Sequence, residues 1–290
     1  MKKHFVKFLS IFIALLILTV LPLAGCNQTD GEKPKIAVSI IPLSGFAQEI
    51  AGDKFDIITL VPAGFSVETF EPTPKQMEEY AKSALTFAIG VPAEDAILKD
   101  PQMPVVNLHE KAKEVYDYRY FDEETKKDRD PHIWLSVRRM AVMVAAMGEA
   151  IAGLDPENAE FYRTNAAKLE AELEELDGDL QEIFGTVQNK QFVVFHPAYG
   201  YLADDYGLTM YALEEEGKEA TPQHMQEIID IAKAAGVKGI FYQAEMDSKQ
   251  AEAFAEELGG ETVMLAPLAP NYIENMRYMA ETIARVCDGE

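Results

Sequence analysis

Four short β-rich runs precede one long helical stripe and four follow it, with helical patterns between the runs on both sides. Before the stripe, Lys35–Ile41, Asp56–Val61, Ala84–Ile89 and Pro104–Leu108 read as strands. Phe46–Ala51, Lys75–Ala81 and Ala93–Leu98 read as helices between them. After it, Gln191–Phe195, Leu208–Leu213, Gly239–Tyr242 and Thr262–Leu265 are strand candidates, and helices fit Pro222–Ala235, Ser248–Leu258 and Tyr272–Arg285. Strands that alternate with helices pair in parallel, because each crossover needs a helix to return the chain to the same end of the sheet. The stripe opens at Asp155-Pro156-Glu157, with Asp as cap and Pro in the first turn. Tyr162, Ala166, Leu169, Leu173, Leu176, Leu180 and Ile183 then recur at three- and four-residue steps as far as Phe184 and Gly185. A helix of that length reaches about 40 Å, enough to cross a two-lobed protein. The fold class predicted is α/β, two small parallel-sheet lobes at residues 35–153 and 187–290, bridged by one long helix at 154–186.

The first 26 residues belong to a different kind of segment. Lys2, Lys3 and Lys7 precede an apolar run from Phe8 to Ala24, which ends in Leu23-Ala24-Gly25-Cys26. That pattern reads as a signal peptide (1–25), and it resembles the bacterial lipoprotein signal, in which the cysteine thiol is acylated after cleavage. Cys26 is therefore the expected lipidation site, placing the remainder outside the cell membrane and tied to it by lipid. Residues 26–34 are polar with Gly and Pro and read as a tether. Only Cys287 would then remain, so neither an intramolecular disulfide nor a thiolate metal cluster is available. Loss of the leader leaves 23 bases against 49 acids, near −26. Such a surface repels nucleic acid and anionic lipid and keeps the protein soluble.

Five histidines limit the chemistry. His4 leaves with the leader, His224 falls in the first turn of a helix, and His109 closes the fourth strand candidate. His196 directly follows the strand QFVVF, where ligands of open parallel sheets bind. His132 lies in Asp130-Pro131-His132-Ile133-Trp134-Leu135, on a loop before the helix that finishes the first lobe. Trp134 and Tyr199 are expected to line the cleft. Taken singly, each histidine is more often a satisfied polar residue than a ligand; one per lobe makes a metal clamp conceivable. Glu68 and Glu71 follow the strand DIITLV, either one in reach of a cleft or an ordinary surface acid.

At this point a resemblance enters. Ile40-Ile41-Pro42-Leu43, Ile50-Ala51-Gly52-Asp53, Glu71-Pro72-Thr73-Pro74, the Asp130–Leu135 segment and His196-Pro197-Ala198-Tyr199-Gly200-Tyr201 resemble the metal-binding family of solute-binding proteins of ABC importers, those for zinc and manganese. The order and spacing match from about residue 34 to the end. The resemblance implies a metal cleft between the lobes and ligands at His132 and His196. The family's first histidine, in Pro-His-Thr-Tyr-Glu-Pro, matches Glu68, and its usual fourth ligand, an Asp, matches Ala266. The implied set is Glu68, His132 and His196, with Glu245 ranked first for the fourth place among Gln243, Glu245 and Asp247.

The expected function is therefore capture of a transition-metal ion outside the membrane and delivery to an ABC transporter permease, by a monomer that is not an enzyme. Zn(II) is the expected ion and Mn(II) the rival, with Fe(II) also within the family. A zinc-dependent hydrolase is the reading from another class, since two imidazoles and a carboxylate also describe catalytic zinc. No HExxH helix or nucleophile elbow supports it. A structural or adhesive lipoprotein with a vestigial site is the third reading.

Overall fold

The structure, a computed structural model, describes residues 33–99, 102–214, 221–245 and 249–289. The expected signal peptide, Cys26 and most of the tether lie outside the described residues. The first half runs β1 (Lys35–Val38), α1 (Ile41–Ala51), β2 (Asp56–Thr59), α2 (Pro74–Tyr80), β3 (Leu85–Ala88), α3 (Glu94–Ile97), β4 (Val105–Asn107) and α4 (Leu108–Lys113). A two-stranded hairpin follows, β5 (Tyr120–Asp122) against β6 (Lys127–Arg129). Next come a 3₁₀ turn at Ile133–Leu135 and α5 (Val137–Leu154). A second 3₁₀ turn, Pro156–Asn158, leads into the bridging helix α6 (Ala159–Thr186). The second half comprises β7 (Gln191–Val194), α7 (Gly200–Tyr206), β8 (Thr209–Ala212), α8 (Pro222–Ala235), β9 (Gly239–Gln243), α9 (Lys249–Leu258), β10 (Glu261–Leu265) and α10 (Tyr272–Cys287).

Each half holds a four-stranded parallel sheet, ordered β2-β1-β3-β4 in the first and β10-β9-β7-β8 in the second. Strand order reverses beside β1 in one sheet and beside β7 in the other. Loops leaving the carboxyl ends of neighbouring strands diverge there and open a crevice.

Local chemistry explains where several elements begin and end. The expected strand Lys35–Ile41 stops at Val38, because Pro42, which lacks an N–H, is seated in the first turn of α1. Thr73 and Gln76 cap α2 reciprocally, and the Thr221 hydroxyl accepts the His224 N–H at the start of α8. Asp155 was expected as a helix cap. Its carboxylate instead accepts from Asn158 and from the Tyr162 hydroxyl, at 2.7 and 2.6 Å, which ties the 3₁₀ turn to the helix after it. Nor does Gly185 end the long helix, which runs on to Thr186; a single glycine near an end costs too little to stop it. His109, expected to close a strand, lies in the first turn of α4.

Helix α6 spans 28 residues, about 42 Å. Its stripe, Tyr162, Ala166, Leu169, Leu173, Leu176, Leu180 and Phe184, is buried throughout. These side chains belong to one continuous core with residues of α1, α5 and α10 and of both sheets, so the two lobes share apolar packing along one rod. Smaller clusters fill the outer layers around Tyr80 and Ile97 in the first lobe and around Phe254 and Ile228 in the second. Among the described residues no helix is long and apolar enough to cross a membrane.

Candidate metal centre

Three donor atoms from three separate loops meet between the lobes. Glu68 lies between β2 and α2, in a stretch pinned by buried Val67 and Phe70. The Val67 carbonyl accepts the Ala93 N–H at 3.0 Å, and the Ser66 hydroxyl bonds the Glu68 carboxylate at Oε2. Glu68 Oε1 is thereby turned inward. His132 sits at the mouth of the 3₁₀ turn, 2% exposed. His196 follows β7 by two residues and is 6% exposed.

The separations are 3.2 Å from Glu68 Oε1 to His132 Nε2, 3.2 Å from His132 Nε2 to His196 Nε2, and 3.4 Å from His196 Nε2 to Glu68 Oε1. Zinc bound tetrahedrally at about 2.0–2.1 Å requires donors about 3.3–3.4 Å apart. The triangle therefore already has the edge lengths of one face of such a tetrahedron. Among the described residues these three form the group whose donor atoms lie within 4.8 Å of one another.

Both rings are oriented from behind. Asp130, with no solvent exposure, accepts from the His132 ring at Nδ1 (2.8 Å) and from its backbone N–H (2.9 Å). Its other oxygen takes Arg119 Nη1 at 2.9 Å, and Arg119 Nε reaches Asp204 of the second lobe at 3.1 Å. The Glu214 carboxylate accepts from His196 Nδ1 at 2.6 Å. With each Nδ1 donating, each Nε2 presents its lone pair to the centre, which is the tautomer a metal ligand needs.

The electrostatics agree with this arrangement. Burial opposes charge on His196, but the carboxylates of Glu214 and Glu68 outweigh it and push its pKa up to about 9. His132 behaves alike: burial opposes its charge, yet Asp130 and Glu68 raise its pKa. For Glu68, burial favours the neutral acid, and hydrogen bonds to the two imidazoles overcome it, holding the carboxyl well below the usual range. The centre is built to hold positive charge.

Other expected site residues fall around this centre. Trp134 backs the His132 ring, with centroids 5.3 Å apart, and donates from Nε1 to the Pro267 carbonyl across the lobes at 3.0 Å. Tyr199 is completely buried. Both were expected at the cleft wall and lie behind it. Glu245 stands outside the triangle, beside Ala266 in a neighbouring cavity of about 190 Å³. A larger cavity of about 690 Å³ opens on the triangle, bordered by Phe121 and Asp128 of the hairpin. Sequence reasoning missed Glu214 and Arg119. Glu214 stands just past β8, at the carboxyl end of a strand, and that position was its available signal.

The model of the family described as zinc-uptake complex component A, periplasmic, matches residues 36–286. The chain belongs to this family. A high-affinity zinc uptake system protein ZnuA of Bacillus subtilis (strain 168) is 26% identical over 259 residues, covering 84% of this chain and 81% of its own. A putative metal-binding protein of Treponema pallidum (strain Nichols) is 25% identical over 281 residues and 89% of each chain. Among solved structures, a ZnuA deletion mutant with zinc bound superposes with TM-score 0.82 at 30% identity, covering 89% of this chain and 99% of that one. Its fold is the one described above, two parallel-sheet lobes and a long helix.

Proposed function

We propose that this protein captures a divalent transition metal outside the cell membrane, zinc first, and hands it to an ABC importer. The triangle of Glu68 Oε1, His132 Nε2 and His196 Nε2 carries this reading, since its edges of 3.2–3.4 Å suit tetrahedral zinc. Two imidazoles and one carboxylate would hold the ion, with Asp130 and Glu214 fixing the rings. Membership in the zinc-uptake family supports the same reading, and the relatives it matches are named for binding or uptake rather than for catalysis.

The centre binds cargo. Catalytic zinc keeps an open place for water, but a transport site must also let the ion go. The long helix and the shared core favour release through small lobe movements and loss of one ligand, with no large opening. Manganese is the rival because Glu68 offers an oxygen where an imidazole is usual, and oxygen suits harder ions. We further assign Cys26 as the lipid anchor that keeps the mature chain, as a monomer, beside its permease.

Metal content and competition titration decide the matter. Wild type is expected to bind one zinc, whereas His132→Ala and His196→Ala lose it almost entirely. Tighter binding of manganese than zinc under the same conditions would overturn the choice of ion. Failure of both histidine variants to change binding would overturn the site. Cys26→Ser should release the protein from the membrane into the medium.

A further inference from the structure

Two polar atoms of the second lobe are buried without a hydrogen-bond partner among the described residues: Oε2 of Glu245 and the hydroxyl of Tyr199. Leaving such groups unpaired forfeits their hydration with nothing in return, so a fold tolerates them where something else completes them. Tyr199 lies three residues beyond His196 and has no exposed surface. Glu245 lies two residues past the end of β9, and the Ala244 N–H bonds the Leu265 carbonyl at 3.0 Å. That bond continues the Gln243–Leu265 register one residue further, and Glu245 and Ala266 border the same cavity. The walls of that cavity are otherwise mostly apolar, including Ile40, Val61 and Leu268. An apolar cavity is a poor resting place for a carboxylate.

The charges of these groups reach one another. Burial first, and then the negative charge on Glu68, raise the Glu245 pKa. The Tyr199 hydroxyl is raised by burial and then by Glu245. A cation among Glu68, His132 and His196 would reverse the repulsion between Glu68 and Glu245 and draw the second carboxylate inward.

We propose that Glu245 is the fourth protein ligand, turning from its cavity onto the open face of the Glu68–His132–His196 triangle when the ion arrives, while the Tyr199 hydroxyl donates to the carboxylate oxygen that stays off the metal. The inference rests on the capture reading above. It explains how the chain does without a donor at residue 266: the methyl group of Ala266 leaves room, and the carboxylate comes from the adjacent strand end. The completed set is two nitrogens and two oxygens, consistent with zinc and more hospitable to manganese than a three-imidazole site. Glu245 would also serve as the ligand that leaves first, since a side chain with a second place to rest can release the ion without moving a lobe.

The test uses the full-length protein, with zinc competition titration, the visible spectrum of the Co(II)-loaded form, and melting of the metal-free form. Glu245→Ala is expected to weaken zinc by about 100-fold or more, as loss of a ligand should, and Tyr199→Phe by about tenfold, within the range seen when the partners of metal ligands are removed. The Co(II) bands of Glu245→Ala should change in intensity and position. The metal-free melting temperature of Glu245→Ala should not fall, because the variant removes an unpartnered buried oxygen. Placing a carboxylate on the neighbouring strand, Glu245→Ala with Ala266→Asp, should restore most of the affinity. The proposal fails if Glu245→Ala keeps zinc affinity within about twofold and the Co(II) spectrum is unaltered, while His132→Ala and His196→Ala lose the metal. If the histidine variants bind zinc as wild type does, the capture site itself is refuted.

Discussion

The Nε2 atoms of His132 and His196 stand 3.2 Å apart although the residues come from different lobes and lie 64 positions apart in the chain. Asp130 and Glu214 each hold a ring by Nδ1, so the two Nε2 lone pairs point at one place, with Glu68 Oε1 at the third corner. Lone pairs and a carboxylate so close repel one another unless a cation or a proton lies among them. The carboxylates of Asp130, Glu214 and Glu68 outweigh the mutual repulsion of the rings and raise the imidazole pKa values.

The proton that stands in for metal should be visible in the pH dependence. His196 has a folded-state pKa of about 9 against an ordinary 6.5. A raised imidazole pKa contributes stability that is fully present below 6.5 and is lost as pH rises through about 9. Calorimetry of the metal-free protein should therefore show a falling melting temperature from pH 7 to pH 9.5, and the zinc-loaded protein should lack that fall. Zinc affinity should rise over the same interval as the competing proton leaves, and titration in buffers of different ionisation heat should detect proton release on binding.

Asp130 has two tasks, orienting His132 and pairing with Arg119, so Asp130→Asn should separate them. The amide can still accept from the ring but leaves Arg119 with Asp204 as its one remaining charged partner. Zinc affinity should fall by about 10–100-fold with one ion still bound. Glu214→Gln acts on His196 alone and should give a loss in the same range without touching the Arg119–Asp204 bridge. An Asp130→Asn variant that binds as wild type would show that ring orientation does not limit affinity.

Helices α5 and α6 pack tightly at Gly148, where an added Cβ would lie 2.4 Å from the Ala166 Cβ. Gly148→Ala must therefore push the rods apart along the packing that joins the lobes. Destabilisation of about 1–3 kcal/mol is expected from overpacking, read from urea denaturation, although alanine is the better helix former. A neutral result would mean that the crossing is looser than the separation implies.

Trp134 ties the two lobes through its Nε1 bond to Pro267 and its carbonyl, which accepts the Tyr272 hydroxyl at 2.7 Å. Trp134→Phe removes the first bond and leaves the Pro267 carbonyl without that donor. A cost of about 1–3 kcal/mol is expected, with faster zinc dissociation in stopped-flow chelation because the smaller phenyl ring, no longer fixed by the Pro267 bond, backs His132 less firmly. Unchanged dissociation would place Trp134 in the scaffold alone.

Much of this arrangement was legible before any coordinates. The short β-rich runs located the sheets, since strands covered on both faces read as continuous apolar segments, and the stripe from Tyr162 to Phe184 located the bridging helix through its one buried face. His132 and His196 were legible through position, each beside the end of a regular element that faces a crevice. The hairpin Tyr120–Arg129 was not, since its strands are three residues each and largely polar, too short to show a period. Arg119 and Glu214 were missed for a related reason: a residue that orients a ligand is defined by what it touches across the fold.

The amino-acid sequence by itself determined the strands of the two main sheets, the bridging helix and the donor types available, because apolar patterning and side-chain chemistry are local properties. Only the tertiary structure decided that Glu68, His132 and His196 share one point, that Asp130 and Glu214 select the tautomers, and that Glu245 waits unpartnered beside Ala266. Those facts depend on distances between loops far apart in the chain, and such distances are set when the two lobes pack against a single rigid helix.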